Sequence, residues 1–274
     1  MDIIEILKAI LFGVVEGVTE WLPVSSTGHM ILVDEFVKIN ASAEFMKMFL
    51  VVIQLGAILA VVVMYWNKIM PFSLKKGIKI KKDIFEMWFK IAFACIPAAI
   101  IGVFFDDKID ELFYNYQTVA IMLILVGILF IIVENKNKNK VPQVMELSQI
   151  TYKLAFIIGI FQLIAAIFPG TSRSGATIVG GIMIGMSRTV AAEFTFFLAI
   201  PVMFGASLLK LLKFGLAFTG AEVTILLVGM ITAFVVSVII INFLMKYIKK
   251  HDFKVFGWYR IVLGIVVLGY FMIF

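Results

Sequence analysis

The sequence is poor in charged residues and has a single cysteine. Charged side chains make up 15% of the 274 residues, hydrophobic residues make up 62%, and the mean hydropathy is +1.08. This balance excludes a soluble domain of useful size and is typical of a polytopic membrane protein. Cys95 alone cannot form an internal disulfide bond, and its apolar surroundings in the sequence predict a small buried hydrophobe.

The charge that is present does not indicate a nucleic-acid partner. Lysine and arginine together number 24 against 18 acidic residues, which gives a net charge of +6. Most lysines fall in short segments between apolar runs instead of forming one basic surface. Their placement therefore predicts membrane orientation.

Six apolar runs are long enough to cross a membrane, because a span needs about 20 residues. We expect them at about 47–66, 88–105, 117–133, 190–212, 222–245 and 255–274. Two further apolar regions, about 3–36 and 154–186, are each interrupted by polar residues, and their legs are too short to span comfortably. Since irregular backbone at membrane depth must be covered by protein, these regions predict re-entrant helical hairpins.

Lysine-rich loops set the expected orientation by the positive-inside rule. The basic loops hold Lys68, Lys75, Lys76, Lys79, Lys81, Lys82, Lys136, Lys138, Lys140, Lys153, Lys246, Lys249, Lys250 and Lys254. Placing them in the cytoplasm puts the acidic loop around 106–111 outside. The first hairpin then opens toward the outer face, and the second opens toward the cytoplasm.

A shift of 146 residues aligns the two hairpin regions. Gly13, Glu16, Pro23 and Ser26 fall on Gly159, Gln162, Pro169 and Ser172. Each half, about 1–146 and 147–274, then contains one hairpin and three spans, so the second half is inverted. The sequence predicts one integral membrane domain over 1–274: an all-α polytopic protein with six transmembrane helices and two re-entrant hairpins in an inverted-topology repeat.

The first polar segment, residues 16–29, carries two carboxylates that share one helix face. Glu16 and Glu20 lie four residues apart, and because two carboxylates so close repel each other, either one of them keeps its proton or the pair binds a cation. Pro23 should end the entering helix near Leu22, and Ser25 or Ser26 can cap the next one. The free N–H groups of that helix end would then form an anion site. The alternatives are a solvated helix end and capping without a ligand.

His29 lies at the same predicted tip. A lone histidine is more often structural than catalytic, but this one is expected at membrane depth beside two carboxylates. Ionisable residues at that depth are costly and usually functional.

The second polar segment, residues 169–177, brings Arg173, the one guanidinium that the sequence places near the midplane. Arginine suits phosphate because its planar fork donates two hydrogen bonds and keeps its charge. The alternative is a structural ion pair with Glu16 or Glu20, which substrate could displace. Gln54, within a predicted span, could line the same cavity or bridge helices.

With its two segments EGVTEWLPVSSTGH at 16–29 and PGTSRSGAT at 169–177, the chain resembles the bacterial undecaprenyl-diphosphate phosphatases, or bacitracin-resistance proteins, from end to end. The resemblance implies removal of the terminal phosphate of the C55 isoprenoid diphosphate, which recycles the carrier lipid for cell-wall synthesis. It implies a site open to the outer face of the bacterial plasma membrane and dependence on a divalent cation. The catalytic residues it implies are Glu16, Glu20, Ser26, His29 and Arg173. Supporting phosphate contacts would come from Ser25, Thr27, Gly28, Ser172, Ser174 and Thr177.

Several mechanisms remain open from the sequence. Glu16 and Glu20 would hold Mg²⁺ or Ca²⁺, and Ser26 would attack phosphorus with His29 or Glu20 accepting its proton. Attack by His29 or by metal-activated water are the alternatives. The rival function is a lipid or ion transporter that uses the same polar cavity. The expected partners are the polyprenyl diphosphate and the bilayer, with no nucleic acid, and a homodimer is left open.

Overall fold

The computed structural model describes residues 2–73, 79–215 and 217–273, apart from the side chains of residues 73, 79, 106 and 110. Most of this part is helical. The helices are α1 (Ile3–Thr19), α2 (Ser26–Phe36), α3 (Ala43–Val52), α4 (Gln54–Met64), α5 (Trp66–Ile69), α6 (Lys82–Phe113), α7 (Tyr116–Asn137), α8 (Tyr152–Ile167), α9 (Arg173–Met183), α10 (Arg188–Phe214), α11 (Gly220–Tyr247) and α12 (Lys254–Ile273). A two-residue antiparallel pair, β1 (Phe72–Ser73) and β2 (Lys79–Ile80), and a 3₁₀ turn at Leu147–Gln149 lie in the connections.

The predicted all-α membrane class is confirmed. Within the described residues, six helical segments are long and apolar enough to cross a membrane: Ala43–Met64, Lys82–Phe105, Tyr116–Asn137, Arg188–Phe214, Gly220–Tyr247 and Lys254–Ile273. Each coincides with one predicted span. The first is broken at Ile53, where α3 ends and α4 begins.

One connection differs from the expectation. Residues 106–111 were expected in an external loop, but α6 runs unbroken from Lys82 to Phe113 and carries this acidic segment as its last turns. Nothing in the segment stops a helix, since the first helix-ending signal is Asn115, which caps α7 through its side chain.

The two interrupted regions form helical pairs with short turns between them. Helix α1 ends at Thr19, four residues before Pro23, and α2 starts at Ser26. Helices α8 and α9 are separated in the same way by residues 168–172. The order of elements is the one that the repeat requires; insertion of these pairs into a membrane from opposite sides stays a prediction.

The first helix of each half packs on a helix of the other half, and we call this arrangement the exchange of partners. Helix α1 packs along α11 of the second half, while α8 packs along α6 of the first. Glycines make both approaches close: a Cβ at Gly13 would lie 2.6 Å from the Gly229 carbonyl oxygen, and one at Gly159 would lie 2.4 Å from that of Ala94. Helices α7 and α12, which are the third membrane-spanning segments of their halves, pack on one another. This exchange brings the two interhelical turns together.

Basic residues flank the helix ends expected at the cytoplasmic side. Arg188, first in α10, forms a salt bridge with the buried Glu134, and Lys68 pairs with Glu193 at 2.9 Å. These pairs agree with a boundary role for Arg188 and Glu193. Lys75 and Lys76 lie outside the described residues.

Candidate active site

The two turns between the paired helices, with the helix starts that follow them, have the same local construction; we call residues 20–29 the first tip and 168–177 the second tip. Ser25 caps α2 by accepting a hydrogen bond from Gly28 N, and Ser172 caps α9 by accepting one from Gly175 N. Both serines have left-handed φ values, 74° and 67°. A non-glycine residue in this region is uncommon and strained, and such strain is typical of functional sites. Each tip therefore presents a helix N-terminus, where anions bind.

A chain of charge-assisted hydrogen bonds joins the tips through Glu20. The Arg173 Nη2 donates to Glu20 Oε1 at 2.8 Å, and the Ser26 hydroxyl donates to Glu20 Oε2 at 2.8 Å. Glu20 and Arg173 are mostly buried, with side chains 8% and 13% exposed. The predicted Arg173–Glu20 ion pair is thus present, and Ser26 is already placed against a proton acceptor.

Hydroxyl groups fix the second tip around this ion pair. Ser174 Oγ donates to the main-chain oxygen of Glu20 at 3.0 Å, and the Ser172 and Ser174 hydroxyls lie 3.1 Å apart. Thr177 donates to the Arg173 carbonyl at 2.8 Å and accepts from Thr195 of α10 at 2.8 Å. These serines and this threonine therefore hold the backbone of the second tip in place, and their contact with phosphate stays a prediction.

Arg173 is also held by Thr195, which lies outside both polar segments, and by Trp21 of the first polar segment. Its Nη1 donates to the Thr195 carbonyl at 3.0 Å, and its guanidinium lies 6.0 Å from the ring centroid of the fully buried Trp21. Trp21 in turn packs edge-on against Phe196 at 5.2 Å. The fork is therefore fixed before any ligand arrives.

A second buried guanidinium, Arg260 of α12, ties the tips together. It donates to the Pro23 carbonyl of the first tip at 3.2 Å and to the Gly170 and Thr171 carbonyls of the second at 2.9 Å each. It also donates to two α7 carbonyls at 3.4 Å, so all the acceptors in its described hydrogen bonds are main-chain oxygens. The sequence interpretation, which took Arg173 as the one guanidinium near the midplane, missed this residue.

Gly170 shows how tightly the second tip packs on α7. Its φ is +90°, which favours glycine, and a Cβ there would lie 2.5 Å from the Val119 carbonyl oxygen. The tip therefore reaches Arg260 only with glycine at this position.

Glu16 lies one helical turn before Glu20 and has no hydrogen-bond partner among the residues that the structure describes. Both carboxylate oxygens are buried and unpartnered, and so are both amide atoms of Gln162, which the repeat aligns with Glu16. Unpartnered polar groups are costly in an apolar interior. The Glu16 carboxylate is consequently free to bind a cation or a proton.

His29 is held by both ring nitrogens. Its Nδ1 lies 2.7 Å from the Ser25 carbonyl oxygen, and its Nε2 lies 2.6 Å from the hydroxyl of Tyr259 on α12. Neither contact is with Ser26. Tyr259 is a second residue of α12 that the motifs did not indicate.

The remaining predicted residues take little part in the contacts between the two tips. Thr27 lies half-buried in the first turn of α2, and Gly28 is buried with its N–H on Ser25. The Gln54 amide donates to the Leu50 carbonyl one turn earlier at 3.5 Å, within the α3–α4 segment. The contacts described for Gln54 do not join it to the tips, and its role in binding stays a prediction.

Fold and site together define a polytopic helical membrane protein whose two polar tips converge on one cluster of charged and hydroxyl side chains. The chain matches the family described as bacitracin resistance protein BacA over residues 9–266, and it belongs to that family. It is 71% identical to an undecaprenyl-diphosphatase of Desulfitobacterium hafniense over 99% of this chain and 98% of that one. It is 68% identical to undecaprenyl-diphosphatase 1 of Clostridium acetobutylicum over the full length of both, and 62% identical to an undecaprenyl-diphosphatase of Enterococcus faecalis over 98% of each.

Proposed function

We propose that this chain is a membrane phosphatase that hydrolyses undecaprenyl diphosphate to undecaprenyl phosphate and inorganic phosphate. This reaction recycles the cell-wall carrier lipid and confers bacitracin resistance. The observation that carries the proposal is the Arg173–Glu20–Ser26 chain, in which an anion-binding fork, a proton acceptor and a hydroxyl lie within 2.8 Å hydrogen bonds. Full-length relatives named undecaprenyl-diphosphatase support it.

In the proposed mechanism the terminal phosphate binds between the tips. Its charge is met by the Arg173 fork and by the N-termini of α2 and α9. Stabilising the charge on the transferred phosphoryl group is the main catalytic demand of such a reaction. Ser26 Oγ attacks the phosphorus, the bond to the bridging oxygen breaks, and undecaprenyl phosphate leaves.

The Ser26 proton passes to Glu20 Oε2, to which the hydroxyl already donates. Water then attacks the phosphoserine, the Ser26–phosphorus bond breaks, and Glu20 returns the proton to Ser26. We assign the water proton to His29. Direct attack by His29 is less favoured because both ring nitrogens are engaged away from Ser26.

A divalent cation fits beside Glu16. Its two carboxylate oxygens are buried and unpartnered, and Glu20 lies one helical turn further on. The part of the chain that the structure describes holds no cluster of three or more His, Cys, Asp or Glu side chains suited to a metal. Mg²⁺ is often bound by one or two carboxylates plus substrate phosphates, which matches this donor set. When bound, it would supply charge neutralisation for the diphosphate.

We therefore expect Glu16→Gln to weaken cation binding by roughly tenfold or more. The measurement is a titration of chelator-treated enzyme with Mg²⁺ and Ca²⁺, following both phosphate release and the metal-dependent rise in Tm. Glu86→Gln, which removes a carboxylate paired with Lys90 far from the tips in sequence, is the control. Unchanged titrations of the Glu16 variant would remove this residue from the cation site.

Purified protein in detergent should release one inorganic phosphate for each undecaprenyl phosphate formed. The rival lipid or ion transporter, which the order of elements also suits, predicts binding without turnover, because detergent abolishes any membrane gradient. Arg173→Ala should lower release about a hundredfold and is the control for contaminating phosphatases. Phosphoprotein that survives an acid quench indicates serine, while label recovered only after alkaline quench indicates histidine.

We also propose that the site opens to the outer face of the bacterial plasma membrane. The support is the positive-inside placement of the lysine-rich loops, which puts the start of the first hairpin outside. Phosphate release from substrate confined to one leaflet of sealed vesicles of known protein orientation tests this. The oligomeric state, a homodimer included, follows from the mass of the purified protein–detergent complex.

A further inference from the structure

Tyr259 lies at the active-site histidine although it is 230 residues away in sequence. Its hydroxyl oxygen is 2.6 Å from His29 Nε2, and the two rings are nearly parallel, with an interplanar angle of 5° and centroids 5.6 Å apart. Tyr259 belongs to α12, the helix that also supplies Arg260 to the tips. Two neighbouring residues of one helix thus reach two different parts of the site.

The contact on the other ring nitrogen fixes the direction of this hydrogen bond. A carbonyl oxygen only accepts, so Nδ1, 2.7 Å from the Ser25 carbonyl, must carry a hydrogen. In the neutral imidazole Nε2 is then the unprotonated acceptor, and the Tyr259 hydroxyl donates to it. Nε2 is therefore the ring nitrogen that can accept a proton during catalysis, and in this structure it accepts the hydrogen bond from Tyr259.

We propose that Tyr259 is a positioning residue for His29: before substrate binds, it holds the imidazole in the Nδ1–H form and fixes the position of the unprotonated Nε2. With the Ser25 carbonyl as its only hydrogen-bond partner, the imidazole ring would be held at one point and could still change its orientation. The phenol adds a second fixed point, and its ring limits tilting by stacking. Tyr259 is 47% exposed, so the phenol can move aside when the lipid diphosphate enters.

Only the kinetic part of this inference rests on the proposed function. Tyr259→Phe keeps the stacked ring and removes the donor. We expect kcat to fall about tenfold with KM nearly unchanged, a loss of the size expected for one hydrogen bond. Tyr116→Phe, which removes the hydroxyl of a tyrosine stacked on Phe271, is the matched control and should keep the parent kcat.

The second readout is the ¹⁵N signal of the His29 ring. The chain has two histidines, so His251→Gln leaves His29 as the only one, provided the affinity tag contains none. The parent protein should show a protonated Nδ1 and an unprotonated Nε2 shifted by its hydrogen bond. In the Tyr259→Phe variant the Nε2 signal should move to the position of a free ring nitrogen, while Tm stays unchanged.

Three results would overturn the proposal. The first is a protonated Nε2 in the parent protein, and the second is an unchanged kcat in the Tyr259→Phe variant. The third is a reduced kcat with an unaltered Nε2 signal, since Tyr259 would then act through some other group. If the parent protein releases no phosphate at all, the proposed function fails, but the ¹⁵N signals still test the His29–Tyr259 contact.

Discussion

Glu20→Gln should lower phosphate release from undecaprenyl diphosphate by roughly 10²–10⁴-fold, the range typical of losing a general base. The glutamine amide has nearly the shape of the carboxylate but cannot accept the Ser26 proton. It also faces Arg173 without a negative charge, which leaves a mostly buried guanidinium unpaired. Steady-state release from purified protein, with kcat and KM determined separately, measures the effect, which should fall mainly on kcat.

The matched control is Glu193→Gln. Glu193 is a similarly shielded carboxylate, 13% exposed, whose partner is Lys68 at the end of α5 instead of a residue of the tips. This variant should keep the parent activity within about threefold, since exposed or half-exposed ion pairs contribute little. Equal activity in the Glu20 and Glu193 variants would rule out Glu20 as the proton acceptor.

Arg260→Met should abolish most activity as well, for a different reason. The guanidinium donates to carbonyls of both tips, and methionine fills a similar volume without any donor. The Pro23, Gly170 and Thr171 oxygens would lose these bonds, and the tips would drift apart. Because a displacement of about 1 Å in an active site can cost about 10²-fold in rate, we expect a loss of that order or more.

The measurements for Arg260→Met are phosphate release and the Tm of the protein in detergent. Lys254→Met removes a positive charge from the start of the same helix, where Lys254 pairs with Asp252, and should leave both quantities close to those of the parent. Arg260→Lys keeps the charge but cannot reach all the carbonyls, and should be intermediate. Parent-like activity in Arg260→Met would show that the tips hold together without this residue.

The spans and both polar segments could be predicted from local sequence. Hydropathy alone locates a helix that crosses a membrane, and short polar interruptions of apolar runs locate the tips. The Arg173–Glu20 pair was among the alternatives because both residues belong to those interruptions. The construction of the tips was harder to foresee: α1 stops at Thr19, before the proline that was expected to end it.

What the sequence did not reveal comes mostly from α10 and α12. Thr195, Tyr259 and Arg260 reach the tips from helices that have no motif, so only the tertiary packing brings them there. For Arg260 a signal did exist: an arginine within an apolar span is expensive and usually functional. Tyr259 had no such signal, since a tyrosine in a membrane helix is unremarkable.

The exchange of partners between the halves has a consequence for biogenesis. Helix α1 leaves the ribosome early, but α11, on which its glycine face packs, begins only at Gly220. Until α11 has been made, the close-packing surface of α1 is uncovered and the carboxylates of Glu16 and Glu20 are unshielded. A nascent chain that stops before residue 220 would keep that surface open, and would be a natural target for the proteases that remove unassembled membrane segments.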